Sequence, residues 1–586
     1  MNFKGTSFEA NANIAEARAA ASGIPESEFA LPPGDITLHR PPGGSSFSTR
    51  RLALWACFML LVLFATRLDL MTRSLYRDEA WVVTSVLSPS PWGMFHYDRW
   101  LQTSPPLFLL SVRAAVRLFG DSEIAFRVVP WLAGALSVLC FGSTLSRLFP
   151  PTFAMMGTSL YLTNYWALKY SQQVKQYSTD LLVSSLFLFL LTSYLIDGRK
   201  RATFVALLFT GGVGVFLSYT AVFWFPVSLI VIAFAASNGR ASDTQKLDAS
   251  FANRSLECVI AFLVYASCFG VVHRFFILPS RSAGLVQFWA NSFIGSGGLL
   301  LSLLRFFQNV CDLVLPQLFL WSRFLSYACG TVILIGVFRA LRLRGTASEP
   351  AATILAITAV PVATAVTVSG FRQYPLLHNP RMIIWILPIC ILLLVYGLQP
   401  AWTWLTPKVG ARASELSVTA VTVLICLVAT SLGVFVVEKG RANPLDDFRS
   451  ATLYLSTHAL PHDSIFVYAL GVEELSYYSH RLHWYPASVF AGNTNLGCCL
   501  PGAPIVPSDD LRKAGLLQDV RSFVHEAKGN NKWFLLQSGL HQELIAEHAR
   551  SEAIAMQCRE TVTSKFESTL VLGFDCSSQQ STPGLR

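Results

Sequence analysis

Apolar runs of about 20 residues recur along most of the chain, and short polar turns separate them. An α-helix of that length crosses a bilayer, so we predict about eleven transmembrane helices. They begin near Leu52, Ile124, Phe153, Tyr177, Ala202, Ala221, Leu256, Leu313, Ala351, Met382 and Leu416. The fifth and sixth are almost continuous from Ala202 to Ala236, with a predicted bend at Ser218–Ala221, and Arg323 interrupts the eighth.

Basic residues between the apolar runs indicate the orientation in the membrane. If the N-terminus is cytoplasmic, every inside loop is basic and largely free of acids, as retained loops usually are. These loops contain Arg147, Arg199, Lys200, Arg201, Arg240, Lys246, Arg254, Arg339, Arg342, Arg344, Lys408 and Arg412. An odd number of crossings then puts the residues after Val437 outside. We predict a multi-pass protein of the cytoplasmic (inner) membrane with an extracytoplasmic C-terminal part.

The chain divides into three predicted parts. Residues 1–49 are polar and contain Pro-Pro and Gly-Gly-Ser-Ser stretches, which predicts a disordered cytoplasmic tail. Residues 50–437 hold the transmembrane helices, and residues 438–586 alternate strand-like with helical patterns. The predicted elements there are strands Ser464–Leu470, Lys532–Gln537 and Thr569–Phe574 and helices Leu511–Lys528 and Leu544–Met556. The predicted fold is mainly α, polytopic, with a C-terminal extracytoplasmic α/β domain.

The predicted first outer loop, residues 71–123, is too long for a simple hairpin. Within it, Ser104–Gly120 begins with a Pro pair and carries Arg113 and Arg117 one helical turn apart. This is the pattern of an amphipathic helix that is too short to span the bilayer. We therefore predict that it lies in the membrane interface.

Composition agrees with a membrane protein, because 53% of the residues are apolar and only 14% are charged. The net charge of +10 lies largely at the ends of apolar runs, so it indicates topology and not nucleic-acid binding. Most of the 12 cysteines lie in apolar runs, but Cys498, Cys499, Cys558 and Cys576 lie in the polar C-terminal part. One disulfide among these four is expected if that part is outside, and the spacing is not that of a zinc site.

Asp78 and Glu79 follow the first predicted span by only a few residues. A solvated loop or the start of a helix is one explanation for adjacent acids at a membrane surface. Another is a carboxylate that takes a proton from an acceptor hydroxyl as a new bond forms.

Two further outer turns carry cations and phenols. The turn between the third and fourth spans includes Lys169, Lys175 and Tyr177, and the turn after the ninth includes Arg372, Tyr374 and Arg381. Interfacial anchoring and snorkelling also explain such residues. Together with the acids, however, they suit a phosphate that leaves as an anion. Arg127, just inside the second span, is predicted to pair structurally with Glu123 one turn earlier.

The order of these parts resembles the GT-C superfamily of polyprenyl-phosphate-sugar-dependent glycosyltransferases. It is most similar to bacterial relatives of protein O-mannosyltransferases and of lipid A aminoarabinose transferases. The residues that carry the resemblance are Asp78-Glu79, Pro105-Pro106-Leu107, Phe119–Glu123, Arg127, Ser171–Tyr177, Tyr374-Pro375 and Arg381. It covers roughly Leu52 to Val437 and implies that Asp78 is catalytic. The chain departs from the pattern at Gln173, where an acid is usual, and at Lys175, where Arg is usual. The cofactor is therefore left open, and a divalent metal is neither assigned nor excluded.

These observations predict a membrane enzyme that transfers a sugar from a polyprenyl-phosphate donor to a glycolipid, polysaccharide or protein outside the cytoplasm. Asp78 would act as general base and Glu79 would assist or orient it. The predicted phosphate contacts are Lys175, Arg372, Arg381, Tyr177 and Tyr374. A transporter or lipid flippase is the alternative that Arg323 leaves open, and a catalytically inactive scaffold is a third. The outer loop Arg281–Gly298 and the C-terminal part are expected to recognise the acceptor.

Overall fold

The computed structural model describes the chain between Met71 and Ser577, with gaps. The described residues are 71–97, 103–196, 201–237, 244–281, 286, 289–316, 320–343, 350–377, 380–409, 447–468, 471–486, 488–492, 509–527, 531–536 and 542–577. The predicted tail 1–49, the spans near Leu52 and Leu416, the boundary between 437 and 438, and Cys498 and Cys499 all lie outside them.

The described part before residue 410 is helical, as predicted. Its α-helices are α1 Arg77–Val86, α2 Pro91–Phe95, α3 Pro106–Phe119, α4 Glu123–Leu148, α5 Pro151–Leu162, α6 Tyr165–Tyr170, α7 Tyr177–Ile196, α8 Arg201–Leu217, α9 Phe225–Ser237, α10 Thr244–Val272, α11 Leu299–Val314, α12 Leu320–Leu343, α13 Pro350–Ile357, α14 Ala359–Gly370 and α15 Leu387–Val409. Short 3-10 helices occupy Tyr219–Trp224, Ala290–Ser292 and Pro380–Ile386, and a π-helical turn occupies His273–Ile277.

Six helical stretches in the described residues are long and apolar enough to cross a membrane. They are Glu123–Leu148, Tyr177–Ile196, Ser255–Ile277, Ser322–Leu343, Thr353–Gly370 and Pro380–Pro400, with shorter apolar stretches at Phe153–Leu162, Arg201–Leu217 and Tyr219–Ile232. Apart from the eighth, each predicted span from the second to the tenth has an apolar helix near its predicted start. The total of about eleven spans stays a prediction.

The predicted start of the eighth span, near Leu313, is wrong. Helix α11 ends at Val314, and the apolar stretch that could cross a membrane begins at Ser322. Pro316 follows α11 closely and cannot donate the backbone hydrogen bond that would extend it. Arg323 is exposed near the start of its span, where a long cationic side chain can reach the interface.

A helix at Ser104–Gly120 and the bend at Ser218–Ala221 are both confirmed, while the location of that helix in the membrane interface stays a prediction. Helix α3 occupies Pro106–Phe119 and buries one face, including Phe108 and Val112, while Leu118 stays 78% exposed. The bend follows α8, where the hydroxyl of Ser218 donates to the buried carboxylate of Asp180 at 2.5 Å. A buried carboxylate needs such a donor, so this bond ties the bend to α7.

The C-terminal part forms a five-stranded sheet with the strand order β2-β1-β3-β5-β4. Its elements are α16 Phe448–His458, β1 Ser464–Tyr468, α17 Val472–Arg481, β2 Ser488–Gly492, α18 Asp509–Glu526, β3 Asn531–Leu536, α19 Gln542–Ala555, β4 Arg559–Phe566 and β5 Thr569–Asp575. Strand β1 pairs in parallel with β2 and β3, whereas β5 is antiparallel to β3 and β4. The three predicted strands and two predicted helices are confirmed.

A disulfide joins Cys558 to Cys576, with an S–S distance of 2.08 Å. The two residues flank the β4–β5 hairpin, so the bond closes the open end of that hairpin. The Cys558–Cys576 bond confirms the prediction of one disulfide among the cysteines of the polar C-terminal part.

An apolar cluster links the C-terminal part to the loop of residues 71–123. It includes Val83 of α1 and Phe108 of α3 together with Leu455 of α16 and Tyr478 of α17, all buried. Burial of such side chains excludes water and stabilises their packing. The sheet domain therefore lies directly on α3 and on α1, the helix that carries Asp78 and Glu79.

Candidate active site

Asp78 and Glu79 lie in the first turn of α1, where the positive end of the helix dipole favours acids. The carboxylate of Glu79 accepts a hydrogen bond from the backbone amide of Tyr76 at 3.0 Å. This bond satisfies an amide at the start of the helix, as in a capping box. The local sequence thus holds Glu79 inward, while the side chain of Asp78 stays 36% exposed.

The predicted Arg127–Glu123 pair is wrong, because Arg127 binds Glu79. Its guanidinium donates to both carboxylate oxygens of Glu79, at 3.0 and 2.8 Å. Three more bonds go to the backbone carbonyls of Met71, Arg73 and Ser74. These bonds use the whole donor capacity of a buried guanidinium, and the ion pair is 2% exposed on each side.

Glu79 also joins α1 to the turn between α6 and α7. Its Oε1 accepts a bond from the amide of Val174 at 2.9 Å. Since the oxygens of Glu79 are occupied by Arg127, Tyr76 and Val174, this carboxylate is suited to hold the site together. Asp78 is the member of the pair that remains available for chemistry.

Arg381, from the predicted outer turn after the ninth span, lies beside Asp78. Its guanidinium lies 3.6 Å from the Asp78 carboxylate, and its side chain is 23% exposed. It also lies over the ring of Trp289, 5.5 Å from the centroid. Asp78, Trp289 and Arg381 come from three distant parts of the sequence and lie together here.

Lys169 adds a second cation, which lies in a predicted outer turn but is not among the predicted phosphate contacts. Its ammonium lies over the rings of Trp166, Tyr165 and Tyr170, at 5.3, 5.6 and 5.9 Å. Burial, and to a lesser degree the positive charge of Arg381, lowers the pKa of Lys169. Lys169 and Arg381 are close enough to repel each other, and a bound anion would neutralise this repulsion.

Tyr170 and Tyr177 line the same region, with ring centroids 4.6 Å apart. Both phenols interact electrostatically with Asp78 and Arg381. Burial raises the pKa of Tyr170, so its hydroxyl stays protonated and can donate a hydrogen bond. Tyr177 therefore lies near Asp78 and Arg381, while its role as a phosphate contact stays a prediction, and Tyr170 is an additional candidate.

The other predicted phosphate contacts have different surroundings. Tyr374 is turned toward the protein, because its hydroxyl donates to the carbonyl of Met382. Arg372 is exposed, has a φ of 55°, and makes no side-chain hydrogen bond or ion pair within the described residues. Lys175 lies half-buried in the turn beside Val174. Neither Tyr374 nor Arg372 makes a hydrogen bond or ion pair with Asp78 within the described residues.

No group of three or more His, Cys, Asp and Glu side chains that could hold a metal lies together in the described ranges. At the site itself, Gln173 stands where an acid is usual in the resembling families, and Glu79 is occupied by Arg127. Lys169 and Arg381 are the two positive side chains that interact with each other at this site.

The comparisons with known proteins agree with the motifs. The family model of dolichyl-phosphate-mannose-protein mannosyltransferases matches residues 103–265. No curated protein matches the sequence.

Three solved structures are similar in overall shape. ArnT from Cupriavidus metallidurans in the apo state has 13% identity and a TM-score of 0.46, covering 90% of this chain and 98% of that one. The same protein bound to undecaprenyl phosphate has 12% identity, a TM-score of 0.46 and the same coverage. An oligosaccharyltransferase from Archaeoglobus fulgidus, in complex with Zn and sulfate, has 11% identity and a TM-score of 0.45, covering 88% of this chain and 72% of that one.

The family match includes α3, Arg127, Lys169, Tyr170 and Tyr177, whereas Asp78 and Arg381 lie outside it. The resemblance that the motifs predicted is confirmed over this stretch. Over residues 103–265 the chain thus resembles the dolichyl-phosphate-mannose-protein mannosyltransferases.

Proposed function

We propose that this chain transfers a sugar from a polyprenyl-phosphate lipid to a hydroxyl group of an extracytoplasmic glycolipid, polysaccharide or protein. The observation that carries the proposal is the pairing of Asp78 with Arg381, 3.6 Å apart, near the ends of helices apolar enough to cross a membrane. A carboxylate beside a fixed cation at this depth suits an acceptor hydroxyl and a lipid phosphate together. The family match supports the same chemistry.

The proposed reaction is a direct displacement at the anomeric carbon. Asp78 takes the proton of the acceptor hydroxyl while the acceptor oxygen forms its bond to the anomeric carbon. The bond from that carbon to the phosphate oxygen breaks, and its electron pair leaves with the polyprenyl phosphate. Arg381 and Lys169 stabilise the developing negative charge in a setting where little water screens it. Tyr170 and Tyr177 are the proposed neutral donors beside them.

The proposed location of the site is the extracytoplasmic side. The basic loops predict this orientation, and the Cys558–Cys576 disulfide supports it, because disulfides persist in oxidising compartments. The acceptor then meets the site without crossing the membrane. The loop near Arg281–Gly298 and the sheet domain are the surfaces proposed to bind the acceptor.

Arg381→Gln is expected to raise the KM for the lipid-linked donor about tenfold or more. The substitution removes one charge-assisted contact to the phosphate, and such contacts contribute roughly 1.5–3 kcal/mol. Steady-state transfer by purified protein in lipid nanodiscs measures this effect, with the released polyprenyl phosphate as product.

Arg372→Gln is the matched comparison for that experiment. Its guanidinium is exposed and makes no ion pair in the described part of the chain, so a KM within about threefold of wild type is expected. Equal effects of the two substitutions would contradict the assignment of Arg381 to the phosphate and would return Arg372 to consideration.

Mass spectrometry of envelope lipids and glycans tests the function itself. Cells that lack this chain are expected to accumulate a lipid-linked sugar and to lose that sugar from one envelope glycan. Wild type and Asp121→Asn, an exposed acid of the same loop, should restore it, whereas Asp78→Asn should not. Unchanged masses in the deletion strain would refute the proposal.

A further inference from the structure

The C-terminal part contacts the segment of residues 71–76 that precedes α1. The hydroxyl of Tyr478 accepts hydrogen bonds from the amide of Leu75, at 2.7 Å, and from the hydroxyl of Ser74, at 3.2 Å. It donates to the carboxylate of Glu123 at 3.4 Å. A phenol hydroxyl has one proton to donate and two lone pairs, so this hydroxyl is fully used.

Arg449 and Arg481 hold the same region from the sheet domain. The Arg449 guanidinium donates to the carbonyl of Thr72 at 3.1 Å and to Glu123 at 3.3 Å, and its amide donates to Ser74 at 3.3 Å. The Arg481 guanidinium donates to Glu123 at 2.5 Å. The acid at the start of α4 is thus a common anchor for two elements of the sheet domain.

The segment is held from its other side by Arg127, which donates to three of its carbonyls. Tyr478 is 1% exposed, Leu75 0% and Ser74 7%, so water has little access to these bonds. Hydrogen bonds in such a setting are strong, and an unmade one is costly. The backbone just before Asp78 is therefore fixed by a transmembrane helix and by the sheet domain together.

We propose that Tyr478 is a positioning residue, through which the C-terminal domain sets the placement of Asp78. The inference rests on the proposed function for its kinetic consequence, because Asp78 is the base there. Its physical basis is the bond to the Leu75 amide, three residues before Asp78 in the chain. Geometry matters here, since small misplacements of a reacting group lower turnover steeply.

Tyr478→Phe removes only the hydroxyl and is expected to lower kcat about tenfold while the KM for the donor changes less than threefold. The donor phosphate contacts lie elsewhere, on Arg381 and Lys169, which is why the two constants should separate. Ser74→Ala removes the partner hydroxyl and should act in the same direction.

Tyr477→Phe is the matched control. Tyr477 is also buried, at 4% exposure, but its hydroxyl donates to Asp121 and accepts from Arg481. This substitution should leave kcat within twofold of wild type. Equal kcat losses in Tyr477→Phe and Tyr478→Phe, or a kcat within twofold of wild type in Tyr478→Phe, would overturn the proposal.

Hydrogen exchange supplies a readout that does not depend on activity. In Tyr478→Phe, peptides covering residues 71–76 should exchange at least tenfold faster, whereas Tyr477→Phe should leave them unchanged. If Tyr478→Phe exchanged faster but the wild-type protein showed no sugar transfer, the structural role of Tyr478 would stand and the proposed function would be refuted. Unchanged exchange in Tyr478→Phe would refute the positioning role whatever the activity.

Discussion

Asp78→Asn is expected to lower the rate of sugar transfer by about 10²–10⁴-fold. The amide cannot accept the proton of the acceptor hydroxyl, yet it has nearly the same size as the carboxylate. Binding of the lipid phosphate should be preserved or strengthened, because a negative charge 3.6 Å from Arg381 is removed. Turnover and donor binding, measured separately on purified protein, check both expectations.

Asp121→Asn is the control for that substitution. Asp121 lies exposed in the same loop and accepts a hydrogen bond from Tyr477, at a distance of 3.0 Å. Transfer by this variant should be within about twofold of wild type, as for most surface changes. If Asp78→Asn retained wild-type turnover, Asp78 would have no place in the mechanism.

Arg127→Met is expected to destabilise the protein by about 3–5 kcal/mol, because it leaves Glu79 charged, buried and unpaired. Three backbone carbonyls also lose their donor. The expected consequences are a large fall in the unfolding temperature and a loss of transfer, since α1 and the turn at Val174 are no longer joined. Thermal unfolding in detergent measures the first effect.

Arg521→Met provides the comparison at an exposed ion pair. Arg521 pairs with Glu552 at 2.9 Å, but its side chain is 65% exposed. Solvated pairs contribute at most about 1 kcal/mol, so the unfolding temperature should change little. Similar shifts for the two variants would mean that the Arg127–Glu79 pair does not hold the site together.

Much of the fold could be predicted because its signals are local. Apolar run length marks the helices near Ile124 and Tyr177, and the Pro pair at Pro105 marks the start of α3. The strand-like runs of residues in the sequence also located β1, β3 and β5. They missed β2 and the exposed strand β4, whose side chains do not alternate clearly between apolar and polar.

The site was predicted in outline, and the errors concern contacts over long sequence distances. Helical spacing favours Glu123 as the partner of Arg127, and only the tertiary structure shows Glu79, 48 positions away, accepting two bonds from it. Glu123 is taken instead by Arg449 and Arg481 of the sheet domain. The Tyr478–Leu75 contact spans 403 positions, and no pattern in the sequence indicates it.

Lys169 shows that sequence pattern also fails to assign a contact between residues close together in the chain. Lys175 matches the motif position at which the resembling families carry Arg, so motif spacing favours it. The structure instead places Lys169 among three aromatic rings and close enough to feel the charge of Arg381. The orientation of the Lys169 side chain depends on the packing of α6, where Trp166 donates a hydrogen bond to the carbonyl of Asp312, far away in the chain.

A structure of the purified protein with a bound polyprenyl phosphate would show whether Asp78 and Arg381 face the same lipid headgroup. We expect phosphate oxygens within hydrogen-bond distance of the Arg381 guanidinium, with the Lys169 ammonium beside them and the Asp78 carboxylate on the same side of the protein. A phosphate bound away from Arg381, or a carboxylate of Asp78 that faces the cytoplasmic side, would contradict it.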